Sequence, residues 1–344
     1  MRLSRREWLA GAVALPALEA LRLQTDVRPR VVQTVLGQVQ ADTLGVTLMH
    51  EHVLVDFIGA DRVTPDRYDR DAVFARMRPF LEQARRAGCR TIVECTPAWL
   101  GRDPRLLERL SRETGVTLLT NTGVYGAADD KYVPARARAL TAEQLAGEWV
   151  EEAKEGIEGT GIRPAFMKIG VDAGSLSEID AKLVRAAALT HLQTGLTIAS
   201  HTGDGTAALA QLDLLASLDV PAHALIWVHA QNEQDREAHV RAAARGAWVE
   251  FDGVGEESIE AHVALVTHMR QRGHLARTLV SQDAGWYHAG EPNGGTPRPY
   301  TTLFDRFLPA LRRAGLSDAE ERQLLVENPR HALTGAVADR TLEP

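Results

Sequence analysis

A (β/α)8 TIM barrel, one of the α/β folds, is what this sequence predicts. Three observations lead there. Short apolar runs recur along the chain, helix-patterned stretches separate them, and several of those stretches stop at a glycine. A glycine just past a helix lets the backbone turn left-handed and enter the next strand. A doubly wound open sheet is the competing arrangement. It loses ground because no G-x-G-x-x-G follows the first apolar run and no G-x-x-x-x-G-K-[ST] occurs anywhere. The missing G-x-S-x-G removes the usual serine-hydrolase elbow.

The elements follow in chain order. Ser4-Arg5-Arg6-Glu7-Trp8-Leu9 precedes an apolar stretch from Ala10 to Leu18, interrupted by Gly11 and Pro16. Paired arginines ahead of a short apolar segment read as a twin-arginine export signal over residues 1–28, with an amphipathic first helix as the alternative. Residues 29–344 then form a single barrel domain, and the protein is expected in the periplasm or secreted. Strands are expected at Val46–His50, Thr91–Cys95, Val116–Thr120, Ala165–Ile169, Leu196–Ser200, Ala224–Val228, Ala247–Phe251 and Thr278–Ser281. Between them, Ala72–Ala87, Arg105–Thr114, Ala142–Ile157, Glu178–Leu192, Ala207–Leu218, Asp235–Arg245 and Ile259–Gln271 carry helical periodicity.

Composition narrows the function classes. The 344 residues are 44% hydrophobic and 25% charged, which supplies a core and excludes a disordered chain. A net charge of −7 and the lack of a basic cluster beyond the N-terminus argue against nucleic acid as a partner. No apolar run is long enough to span a membrane. Two cysteines, Cys89 and Cys95, cannot build a disulfide framework and should be free thiols.

Polar residues placed on the strands form a pattern. Barrel active sites occupy the C-terminal strand ends. The first strand ends in His50-Glu51-His52, where two-residue alternation turns both imidazoles to one side. Lys168 lies on strand four, and His201, His229 and Asp283 follow strands five, six and eight. A lone histidine in a barrel strand is commonly structural. Four histidines, a lysine and an aspartate at strand ends point instead to a metal site for zinc, manganese, iron or cobalt.

Here the chain resembles the phosphotriesterase family of the amidohydrolase superfamily, including its lactonase branch. The resemblance rests on Leu44 to His52 (LGVTLMHEH), Ala87 to Glu94 (AGCRTIVE), Gly156 to Arg163 (GIEGTGIR) with Lys168, and Val280 to Asp283 (VSQD), and it runs from about Val31 to Ala332. It implies two divalent transition metal ions per chain, zinc before manganese, iron or cobalt. His50, His52 and Asp283 would hold the more buried ion, and His201 and His229 the more exposed one. Lys168 would bridge them as a carbamate formed with carbon dioxide, because an ammonium repels cations and a carbamate presents two oxygens. A buried Lys168–Asp283 ion pair is the alternative. A shared hydroxide would then attack the substrate, with Asp283 as its proton acceptor. A homodimer acting on a small-molecule substrate is also implied.

Two departures from the family pattern matter. The positions of a proton relay beyond the metal-ligating aspartate are Asn232 and Gly253 here, which cannot relay. The arginine usual in the lactonases near Gly253 is absent too. Tyr125, in Thr122-Gly123-Val124-Tyr125, matches the lactonase tyrosine that faces the metals, and is expected as a catalytic and substrate-contacting residue. The glycine- and aromatic-rich stretch Ala284–Gly295 reads as a lid over the metals, with Trp286 and Tyr287 as an apolar wall and His288 and Glu291 as polar lining. Trp99 is expected to form the opposite wall. The expected activity is hydrolysis of a lactone or carboxylic ester, with phosphotriesters as a side activity. A phosphoester hydrolase, an amidase and a catalytically idle metal-binding protein stay open as alternatives.

Overall fold

A computed structural model describes residues 30–334, so the expected export segment lies outside the described residues. Parallel barrel strands run in order as Thr47–Val55, Thr91–Glu94, Thr117–Leu119 continued by Asn121–Thr122, Phe166–Val171, Thr197–Thr202, Leu225–Val228, Trp248–Phe251, and Thr278–Val280 continued by Ala284–His288. Each neighbouring pair is parallel, and the last segment closes on the first through Ala284↔Glu51 and His288↔Val55. Closure leaves no exposed barrel edge.

The helices between strands begin where the polar caps stand. Asp69, Asp103, Thr141, Ser177, Asp204 and Asp235 each accept a backbone N–H of the first turn that would otherwise lack a partner. Four of these helices end at Gly88, Gly115, Gly195 and Gly246 in the left-handed region, as the glycine pattern predicts. Their apolar faces and the outward strand side chains make one large core, including Met77, Leu81, Leu106, Leu183, Leu212 and Met269.

The barrel interior is a second, smaller core. Met49, Val93, Leu119, Phe166, Ala199, Ile226, Trp248 and Leu279 supply it with one side chain from each of the eight strands. Its N-terminal end is closed by Val32, Ala41 and Leu44, and by Ala332 and Leu333 of the last helix, Asn328–Thr334. Val32 belongs to an antiparallel hairpin, Val31–Thr34 with Gly37–Gln40, which the apolar pattern does not predict because only alternate residues of four-residue strands are buried. The plug is what forces the open end of the interior to the opposite, C-terminal side of the strands.

Four expectations shift. The first strand runs five residues past His50, since Val53, Leu54 and Val55 are all buried. Strand three breaks at Thr120, and strand eight breaks between Val280 and Ala284. The expected lid begins as a strand instead: Ala284–His288 pairs with strand one, because Gly285 has φ +91° and no Cβ to collide with the His52 carbonyl and the Tyr300 hydroxyl. Cys89 and Cys95 are free and buried.

Candidate metal centre and active site

Strand one places His50 and His52 side by side on the interior, and the intervening Glu51 points the other way. Glu51 accepts from the Ser281 hydroxyl at 2.8 Å, the Gln282 N–H at 3.2 Å and the Ala284 N–H at 2.7 Å. It therefore clamps the break in strand eight that carries Asp283. Burial raises its carboxyl to about 8 despite these donors. Asp283 sits in the break with φ +49°, and its own N–H donates to the His50 carbonyl at 3.0 Å.

This backbone path brings Asp283 Oδ1 to 3.1 Å from His52 Nε2 and 3.9 Å from His50 Nε2. Ligand atoms of the three residues lie within 4.8 Å of one another. Burial alone would resist ionisation of Asp283, but the adjacent His52 and His50 hold its carboxyl at about 2. Burial, with Lys168 adding to it, lowers His50 to about 3, and burial also lowers His52 and His201. Neutral imidazoles and an ionised carboxylate are the forms that bind a metal.

The other predicted ligands converge on the same cavity. Its volume is about 140 Å³, and its lining includes His50, His52, Lys168, His201, His229 and Asp283. His201 closes strand five, His229 follows strand six, and their rings are 4.4 Å apart. Lys168 is only 2% exposed and its Nζ has no hydrogen bond. The ion pair with Asp283 that stood as the alternative is thus not made. Gly123 lies directly against strand four; a side chain there would strike the Lys168 carbonyl. An ammonium buried beside imidazoles with no partner is costly, and so is the Asp283 oxygen that lacks a well-directed hydrogen bond. Both orphans fit a group that binds oxygen and nitrogen donors, so the residues present suit a pair of metal ions bridged by a carboxylated lysine.

Three residues outside the predicted set support the histidines. Asp252, fully buried just past strand seven, accepts from His229 Nδ1 at 2.6 Å and from the His229 N–H at 3.0 Å. Its second oxygen lies 3.1 Å from His50 Nδ1. One carboxylate thus holds His229 by hydrogen bonds and stands as a counter-charge beside His50, leaving both Nε2 atoms for ligation. Burial resists its charge, yet His229 and His50 hold the Asp252 carboxyl well below the usual range. On the opposite side His52 Nδ1 meets the Thr96 hydroxyl at 2.8 Å, and that hydroxyl donates to Glu94 at 2.6 Å. The signal for Asp252 was available, since it follows strand seven as His229 follows strand six. The relay positions are as bare as expected. Asn232 is exposed, and Gln231 fills the space beside Gly253, its amide bonded to Asp252 at 2.8 and 3.1 Å.

The expected substrate residues divide. Tyr125 and Trp286 line the cavity, joined by Phe57, which the sequence reading did not single out. Tyr287 is buried against Gly294, outside the lining. His288 stacks behind Phe57 at 5.6 Å and Trp286 at 5.9 Å, and Glu291 is exposed with its carboxylate 3.6 Å from His288. Strand alternation explains Tyr287, which faces away from Trp286, while Phe57 and Trp286 stand between His288 and the cavity. Trp99 lines a different cavity of about 410 Å³ with Tyr68, Arg102 and Trp149, and so does not form the opposite wall. His229, Asp283 and Trp286 all have left-handed φ, of 63°, 49° and 75°. Such backbone costs roughly 1–3 kcal/mol per residue and persists where surrounding structure enforces it, commonly at functional sites.

Known proteins agree with this architecture. The family model of the phosphotriesterase family matches residues 30–333. The phosphotriesterase homology protein of Escherichia coli is 31% identical over 292 residues, covering 84% of this chain and 97% of that protein. The organophosphorus hydrolase of Deinococcus radiodurans superposes with a TM-score of 0.78 at 28% identity, covering 88% of this chain and 97% of that one. A mutant of a phosphotriesterase-like lactonase from the same organism gives 0.79 at 29% identity, covering 88% and 99%. With its barrel closed, four histidines gathered at the strand ends and nearly all of the described chain matched, this protein belongs to the phosphotriesterase family.

Proposed function

We propose that this chain, a hydrolase of the ester and phosphoester class by its family, uses a binuclear metal centre to cleave a lactone or carboxylic ester, with phosphotriesters as a side activity. The observation that carries the reading is the convergence of four histidines, Asp283 and an unpartnered Lys168 on one cavity. His50, His52 and Asp283 would hold one ion and His201 and His229 the other, with Lys168 bridging as its carbamate. Such a pair supplies an acidified water and a Lewis acid for the substrate oxygen. The chain's own residues do the rest. Asp283, held ionised beside His52 and His50, would accept the proton of the attacking water. Tyr125 keeps its proton, because burial and then the Asp283 charge push its phenol up, so it serves as a neutral donor to a substrate oxygen. Phe57 and Trp286 exclude bulk water from one side.

The test is hydrolysis of 4-nitrophenyl acetate and of simple γ- and δ-lactones by protein refilled with zinc or manganese, with and without a chelator. Turnover abolished by the chelator and restored by metal supports the reading. No turnover of any ester, lactone or phosphoester by metal-replete protein overturns it and leaves a metal-binding protein.

A further inference from the structure

The cavity walls carry more than metal chemistry. From His201 the rings run to Tyr125 at 5.1 Å, Tyr132 at 5.7 Å, Phe57 at 6.2 Å, Trp286 at 5.3 Å and His52 at 5.2 Å. His50 and His229 complete the circle, at 5.2 Å from His52, 4.9 Å from each other and 4.4 Å from His201. Aromatic side chains have few torsions, and rings packed edge to face on both sides resist displacement. The circle of rings around the cavity is therefore stiff, with Tyr132 backing Tyr125 and Phe57 from behind the lining, while the cavity stays open towards solvent at its mouth. Its volume of about 140 Å³ is less than half of the roughly 300 Å³ at which pockets for drug-sized ligands begin. Part of that volume belongs to the metals. No arginine lines it, and its one lysine, Lys168, belongs to the metal centre.

We infer that the aromatic circuit selects a compact, uncharged acyl group, such as an acetyl group or a small unsubstituted lactone ring, with Phe57 and Trp286 as the steric limit. This rests on the proposed hydrolase reading and names its substrate class. A long acyl chain lying against the walls would have to displace Phe57 or Trp286, whose rings pack on each other. A carboxylate in the acyl group would be stripped of water with no free cation to meet it.

The metal-loaded enzyme should be given 4-nitrophenyl acetate, butyrate and octanoate, together with γ-butyrolactone and δ-dodecalactone. We expect kcat/KM to fall by about tenfold or more from acetate to octanoate, the scale of a methylene refused by a pocket. Phe57→Ala or Trp286→Leu should narrow that ratio by raising the octanoate rate. A second measurement does not need turnover. Trp fluorescence of Asp283→Asn protein should be perturbed by γ-butyrolactone at lower concentration than by δ-dodecalactone. If nothing is hydrolysed but this binding order holds, the hydrolase reading falls and the size selection stands. Octanoate cleaved as well as acetate, or the long lactone bound as tightly as the short one, overturns the inference.

Discussion

Asp283 and Asp252 show how one residue type serves two purposes at neighbouring strand ends. Asp283 is drawn into the cavity by its left-handed backbone and meets the Nε2 sides of His50 and His52. Asp252 reaches the Nδ1 sides of His50 and His229 from behind. The consequences of removing each charge differ. Asp283→Asn keeps an oxygen for a metal but cannot accept a proton, so metal content should stay near wild type while kcat falls on the order of 10²–10⁴-fold. Unchanged kcat would leave the attacking water without an identified base. Asp252→Asn removes the charge that fixes two imidazoles, so metal affinity should fall by about 10–100-fold in a chelator competition, with the folded barrel retained. Equal affinity in the two proteins would confine Asp252 to packing. Lys168→Ala should lose metal, and short carboxylic acids should restore part of it by supplying the bridging oxygens.

At the scale of elements, capping and cross-links hold the helical return of the barrel to its last helices. Ser317 and Glu320 form a capping box at the start of the helix Asp318–Arg322. Glu320 also accepts from Arg270 at 2.5 Å, tying this turn to the helix Ile259–Gln271. The Arg270 hydrogen bond, followed by the Ser317 donors, lowers the Glu320 carboxyl from 4.5 to about 2. A depressed folded-state value means the unfolded chain binds a proton first as pH falls. The contribution is therefore complete above pH 4.5 and is lost on descending towards pH 2. The pair is partly open to solvent, with the Arg270 and Glu320 side chains 38% and 24% exposed, which screens it to about 1 kcal/mol or less. Glu320→Gln should thus lower the Tm at neutral pH, and the gap from wild type should close between pH 4.5 and 2 when both are melted in chelator. A gap that widened in acid would reverse the assignment.

The described residues form a closed barrel plugged at one end by the hairpin of residues 31–40 and the last helix, so its chemistry has a single open face. Among the described residues no helix is long and apolar enough to cross a membrane. Export in the folded, metal-loaded state is the proposal that goes with Arg5 and Arg6. Replacing both with lysine should hold the protein in the cytoplasm, as read by fractionation of a host that carries the twin-arginine pathway. Equal distribution of the two versions would make the segment an ordinary helix.

The sequence by itself determined the fold class and the six strand-end residues proposed to hold metal. Both depend on local periodicity: apolar runs mark strands, and the residue ending a run must face the catalytic end of a barrel. Every expected strand appears within a few residues of its place, and His50, His52, Lys168, His201, His229 and Asp283 meet in one cavity. Asp252 obeys the same rule, directly following the strand Trp248–Phe251, and is legible on that ground. What only the tertiary structure decided is which aromatic side chains line the candidate metal cavity. Trp99, Tyr287, His288 and Glu291 share the composition of a site wall but not its position. Phe57 lies far along the chain from Trp286, yet closure of strand eight on strand one brings their rings to 5.3 Å. Strand alternation and the left-handed turns at Asp283 and Trp286 set those directions, and both follow from pairing across the barrel seam, a contact between the first and last strands that no local window contains.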